Sequence, residues 1–151
     1  MEERVTYVAR NVTIKGEPEK AYALIKEMED FPKFMPDVQS VEVVRRGENM
    51  TVTDWVTEVD GTEIIWTEED HFDDEHLTVD YKLTEGDLDK FEGQWIVEPT
   101  PEGCKVTLTV DFDFGIPELI HLIGGVLEIK VTENSDMMLN SLKTRLEGQQ
   151  G

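Results

Sequence analysis

At 151 residues the chain has the length of one domain, enough to bury a substantial core. Hydrophobic residues make up 38% of it and charged residues 32%, the balance of a folded protein rather than a disordered one. Its formal net charge of -20 repels phosphate backbones and anionic bilayers, so nucleic acid is not an expected partner. The acids are spread along the whole chain, as in a solubilising shell. No apolar run reaches bilayer length, no signal-peptide core follows Met1, and Cys104 has no second cysteine to pair with. The expectation is a cytoplasmic protein, not an integral membrane one.

In chain order, Val5 to Ile14 reads as a half-buried strand, with Val8, Val12 and Ile14 apolar among polar residues. Gly16 to Glu19 breaks it, and Pro18 suits a first helical turn. Ala21, Leu24, Ile25 and Met28 then follow at helical spacing. The stretch Phe31-Pro32-Lys33-Phe34-Met35-Pro36 allows only a short helical turn. From Val38 to Phe114 strand follows strand. Val41, Val43 and Val44 mark the first, and Thr51–Val59 and Thr62–Phe72 flank Asp60-Gly61, a two-residue hairpin signal. Leu77, Val79, Tyr81 and Leu83 alternate, then Phe91, Gly93, Trp95 and Val97, then Val106, Leu108, Val110, Phe112 and Phe114. After Gly115 the period becomes helical. Leu119, Ile123, Leu127, Met138, Leu142 and Leu146 share one side of a helix ending about Glu147, roughly 45 Å long at ~1.5 Å per residue. Gly124-Gly125 interrupts it, which suggests a bend or a close approach.

This order resembles the helix-grip fold of the START and polyketide cyclase/dehydrase (SRPBCC) superfamily, which also holds the coenzyme-Q-binding proteins. The residues that carry the resemblance are Ala21-Tyr22-Ala23-Leu24-Ile25, Asp30 to Pro36, Val41-Glu42-Val43-Val44, Glu85-Gly86-Asp87-Leu88 and Gly93-Gln94-Trp95. It implies an α+β fold over residues 1–151: a curved antiparallel sheet of about seven strands around a long C-terminal helix, with two short helices after the first strand. It also implies an internal hydrophobic cavity. Fold does not by itself assign an activity.

The Asp60-Gly61 hairpin pairs Val59 with Thr62, Thr57 with Ile64 and Trp55 with Trp66, and continues to Thr53 with Glu68 and Thr51 with Asp70. A following turn near Asp74-Glu75 pairs Phe72 with Leu77, Asp70 with Val79, Glu68 with Tyr81 and Trp66 with Leu83. One apolar face then holds Trp55, Trp66, Phe72, Leu77, Val79, Tyr81 and Leu83, and two acids, Glu68 and Asp70, fall on the same face. A carboxylate facing an apolar interior is costly unless hydrogen-bonded or protonated. The functional reading is a polar anchor or an acid/base group with Tyr81 in reach. The alternative readings return the acids to solvent, by a bulge or at an open rim.

Phe91, Trp95, Leu108, Val110, Phe112, Leu127 and Met137 or Met138 would complete the wall of a cavity. The run Glu68 to His76 looks like a metal cluster, but alternation turns Glu69 and His71 away from Glu68 and Asp70. Cys104 has no identified base. No phosphate-binding glycine loop or dinucleotide fingerprint is present, so no cofactor and no metal are expected. His121 suits the mouth or the surface. The leading reading is binding, with transport as its extension, of a hydrophobic small molecule such as a lipid, quinone or polyketide, the C-terminal helix and the Phe31–Pro36 segment gating entry. The second is a polyketide aromatase/cyclase using Glu68, Asp70 and Tyr81 for aldol closure and dehydration. The third is an acidic module that docks a basic protein partner.

Overall fold

The computed structural model describes residues 7–59, 62–113 and 117–148, the side chains of 59, 62 and 117–128 excepted. β1 (Tyr7–Ile14) leads into α1 (Pro18–Lys26) and a 3-10 helix, Met28–Lys33. Six strands follow: β2 (Val38–Gly47), β3 (Met50–Val59), β4 (Thr62–Asp73), β5 (Thr78–Gly86), β6 (Lys90–Thr100) and β7 (Gly103–Asp113). α2 (Pro117–Gly148) closes the chain. All neighbouring strands are antiparallel and form a seven-stranded sheet in the order β1-β7-β6-β5-β4-β3-β2, the helix-grip arrangement.

Alternation sorts the residues of each strand. Val106, Leu108, Val110 and Phe112 on β7 are buried while their neighbours are only half-buried, so that strand puts one side chain in two into the core. α1 starts at Pro18, whose missing N–H would be unpaired there anyway, and it buries Ala21, Tyr22 and Ile25. The Tyr22 hydroxyl donates to Asp74 Oδ1 at 2.7 Å and Lys26 Nζ reaches the same oxygen at 2.8 Å, tying α1 to the β4–β5 turn. The described half of α2 packs on β1, β7 and α1, burying Ser135, Met138, Leu139, Leu142 and Leu146 at helical spacing. Arg10 of β1 forks onto Asp136 of α2 through two hydrogen bonds, at 2.8 and 3.1 Å.

Three expectations change. The helix runs without a break through Gly124-Gly125. The β4–β5 register is displaced: Phe72 pairs with Val79, Asp70 with Tyr81 and Glu68 with Leu83, each two residues beyond its expected partner. Asp74 to Leu77 form a four-residue turn that ends with Leu77 in the left-handed region (φ 57°), and this uses up the residues expected in the strand. Thirdly, Trp66 pairs with Gly86, because β5 carries an extra residue, Thr84, between the partners of Thr67 and Glu68. A displacement by two preserves facing, so the acids stay on the inner face. The Asp60-Gly61 turn, His121 and Leu127 lie outside the described residues or side chains.

Candidate functional site on the inner face of the sheet

The register Trp55↔Trp66 brings two indoles together on the inner face, where they stack with centroids 5.4 Å apart and planes 8° from parallel. Phe31, from the 3-10 helix, meets Trp55 and Trp95 at 5.9 Å each. Phe91 lies against Trp66 at 4.9 Å and Tyr81 at 5.7 Å. The inner face is divided. Its half near α1 and the end of α2 is filled by Ile14, Ile25, Phe31, Met35 and Leu142, all buried. Towards the β3–β4 hairpin, Ile64, Leu83 and Phe91 also face inward but are only half-buried.

The acids sit between these halves. Glu68 is 2% exposed and Asp70 0%, so the bulge, which falls on β5, does not turn them outward. Asp70 Oδ2 accepts from Thr53 Oγ1 (2.8 Å) and Thr51 Oγ1 (3.1 Å), and the Trp55 indole N–H donates to Thr53 Oγ1 at 2.9 Å. The Trp66 indole N–H donates to Glu68 Oε1 at 2.8 Å. Asp70 Oδ1 is buried with no conventional donor. A protonated Glu68 supplies one. Burial, then the charge of Asp70, push the Glu68 acid well above its ordinary value. Burial raises Asp70 too, but hydrogen bonds from Glu68, Thr53 and Thr51 oppose this. Both directions favour a proton held between the two carboxyls, with Glu68 the stronger holder.

A folded-state value above the unfolded one means that the fold binds the proton more tightly. The resulting stability is full below the ordinary Glu value of 4.5 and is lost as pH rises through the raised value. Glu68→Gln keeps a donor towards Asp70 and removes the titration. Urea unfolding should find the variant's advantage growing as pH rises above 4.5, at a rate of up to ~1.4 kcal/mol per pH unit while Glu68 stays protonated only in the fold. Parallel pH profiles for the two proteins would contradict the shared proton.

Tyr81 does not serve the acids. Its hydroxyl donates to the Thr109 carbonyl at 2.6 Å, two strands away. It gets there across Gly93, its partner on β6, where the β6–β7 ladder breaks between Glu92↔Asp111 and Trp95↔Leu108. The Gln94 N–H turns to the Thr109 hydroxyl instead (2.9 Å). Burial pushes the phenol well above its usual range, so it stays protonated.

Of the residues singled out in the sequence, Trp55, Trp66, Glu68, Tyr81, Trp95, Leu108, Val110, Phe112 and Met138 are buried, Asp70 with them, and Phe91 is half-buried. Cys104 is also buried, and burial raises its thiol pKa. Sequence reasoning missed the hydroxyl support of Asp70 and the buried Ser135 on α2. The run Glu68 to His76 divides as alternation requires: His71 pairs with Glu69 and His76 with Asp73, all four exposed or half-exposed.

The family model for polyketide cyclase / dehydrase and lipid transport proteins matches residues 5–147, so the chain belongs to that family. Among solved structures it is similar to TTHA0849 from Thermus thermophilus, with 32% identity, a TM-score of 0.91, and coverage of 96% of this chain and 99% of that one. It is also similar to the Zhui aromatase/cyclase from a Streptomyces species, with 18% identity, a TM-score of 0.88, and coverage of 96% and 95%, a likeness of fold alone. Major latex protein 146 from Papaver somniferum is 28% identical over 104 residues, 63% of this chain; the chain spans 65% of the length of that curated relative. No helix among the described residues is long and apolar enough to cross a membrane.

Proposed function

We propose that the chain binds a lipophilic small molecule between the inner face of the sheet and α2, its apolar body against Trp66, Phe91, Leu83 and Ile64. The observation that carries this reading is the divided inner face. One half is packed solid, while the other keeps inward-facing apolar side chains half-buried beside a buried acid pair. Burying ~300 Å² of apolar ligand at ~25 cal/mol per Å² is worth ~7.5 kcal/mol before ordering costs, which suits reversible carriage. The family description, which includes lipid transport, supports the same reading.

The acid pair favours a second reading, an aromatase/cyclase like the Streptomyces neighbour, with Glu68 giving a proton and Asp70 taking one. Tyr81 drops out of that set because its hydroxyl is committed to Thr109. Native mass spectrometry of the purified protein tests binding directly, and a chemically altered product released from a bound poly-β-ketone would place the enzyme ahead of the carrier.

A further inference from the structure

The buried polar groups among the described residues are Thr51, Thr53, Thr57, Ser135, Glu68 and Asp70, and no lysine, arginine or histidine is among them. Among the described side chains, an anionic head group would therefore meet two carboxyls without a buried counter-charge, inside a chain of net charge -20. A cation meets the opposite situation. Glu68 pairs directly with the half-buried Leu83 and lies next along the inner face from Trp66, whose ring rests on the half-buried Phe91. Asp70 Oδ1 adds a buried acceptor whose donor is the proton shared with Glu68. Aromatic faces beside carboxylates suit a positively charged group on an aromatic body, through cation–π attraction and charge-assisted hydrogen bonds.

Building on the binding reading above, we infer that the site selects lipophilic aromatic cations, protonated amines above all, and discriminates against carboxylates of the same shape. The ammonium group donates to the Glu68–Asp70 pair in place of the shared proton, which leaves to solvent, and the ring system lies against the half-buried Phe91 and Leu83. The acids act here as binding groups, and no bond to the ligand forms.

Three probes of one shape test this: 9-(aminomethyl)anthracene, 9-methylanthracene and anthracene-9-carboxylate, titrated against tryptophan fluorescence at neutral pH. The expected order is amine, hydrocarbon, carboxylate, with the amine at least tenfold tighter than the carboxylate. That ratio should persist in 0.5 M NaCl, which screens attraction by the acidic exterior but not by a buried pair. In Glu68→Gln the amine-to-hydrocarbon ratio should fall towards one; Asp70→Asn serves as the second variant if the first fails to fold. Saturable binding of the hydrocarbon with the carboxylate bound as tightly as the amine overturns the inference and leaves the binding reading standing. An amine preference that vanishes in salt, or survives both substitutions, overturns it as well. Failure of all three probes to bind overturns both.

Discussion

Phe31→Ala is expected to lower the folding free energy by ~3–5 kcal/mol, the range for emptying a fully buried phenylalanine site. Phe31 is 0% exposed and reaches three aromatic rings, Phe34 at 6.0 Å and Trp55 and Trp95 at 5.9 Å. It projects from a 3-10 helix containing Pro32, and Phe34 is held in turn under the Arg145 guanidinium of α2, 5.3 Å from the ring centroid. The backbone there has little freedom to collapse into the void, which favours the upper part of the range. The two tryptophans would also lose the ring that separates them, so their emission should shift before the global transition. Urea unfolding followed at both tryptophan and backbone signals checks this. A loss below ~1 kcal/mol would mean that the segment is a loose gate rather than a core element.

Gly93→Val is expected to cost a comparable amount, by a different route. A Cβ at position 93 would lie 2.0 Å from the Thr109 carbonyl oxygen, and that neighbour is backbone rather than a flexible side-chain end. The same oxygen accepts the Tyr81 hydroxyl, which crosses the glycine to reach it. Adding a side chain therefore pushes β6 off β7 and displaces Tyr81, leaving a buried donor and acceptor without each other. Overpacking alone costs ~1–3 kcal/mol and the separated pair a further ~1–3 kcal/mol. Tyr81→Phe removes only the second contribution, so thermal melts should rank wild type above Tyr81→Phe and both above Gly93→Val. Equal melting temperatures for wild type and Gly93→Val would show that the close approach is not a constraint.

These two sites also show where sequence reasoning reached and where it stopped. The β3–β4 register is legible because a two-residue turn leaves the pairing no freedom, and alternation then fixes the shared face of Trp55, Trp66, Glu68 and Asp70. The β4–β5 register is not legible. Nothing in Asp74-Glu75-His76-Leu77 announces that a leucine will adopt a positive φ, nor that Thr84 will bulge. Facing survived because the displacement is an even number of residues. The partner of Tyr81 could not be read either: Thr109 sits two strands away and is reached only because Gly93 lacks a side chain. Tyr81 therefore stands on the expected face with its hydroxyl turned from the expected task. Ser135 hides for another reason, since a lone serine in a helical pattern looks like a surface residue until packing buries it.

The acid pair is the feature that core packing does not explain. Apolar residues at Glu68 and Asp70 would fill the same space without the desolvation cost, and Thr51 and Thr53 would then need no acceptor. Retaining two carboxyls beside half-buried aromatic residues makes sense where a ligand uses them.

Native mass spectrometry of the protein as purified, and after incubation with a mixture of lipids, quinones and aromatic compounds, tests ligand binding without assuming which ligand is bound. The expected result is a stoichiometric one-to-one adduct of a lipophilic molecule, released when the protein is unfolded. A protein that remains at its bare mass through every incubation would contradict binding and favour an acidic surface that docks a protein partner instead.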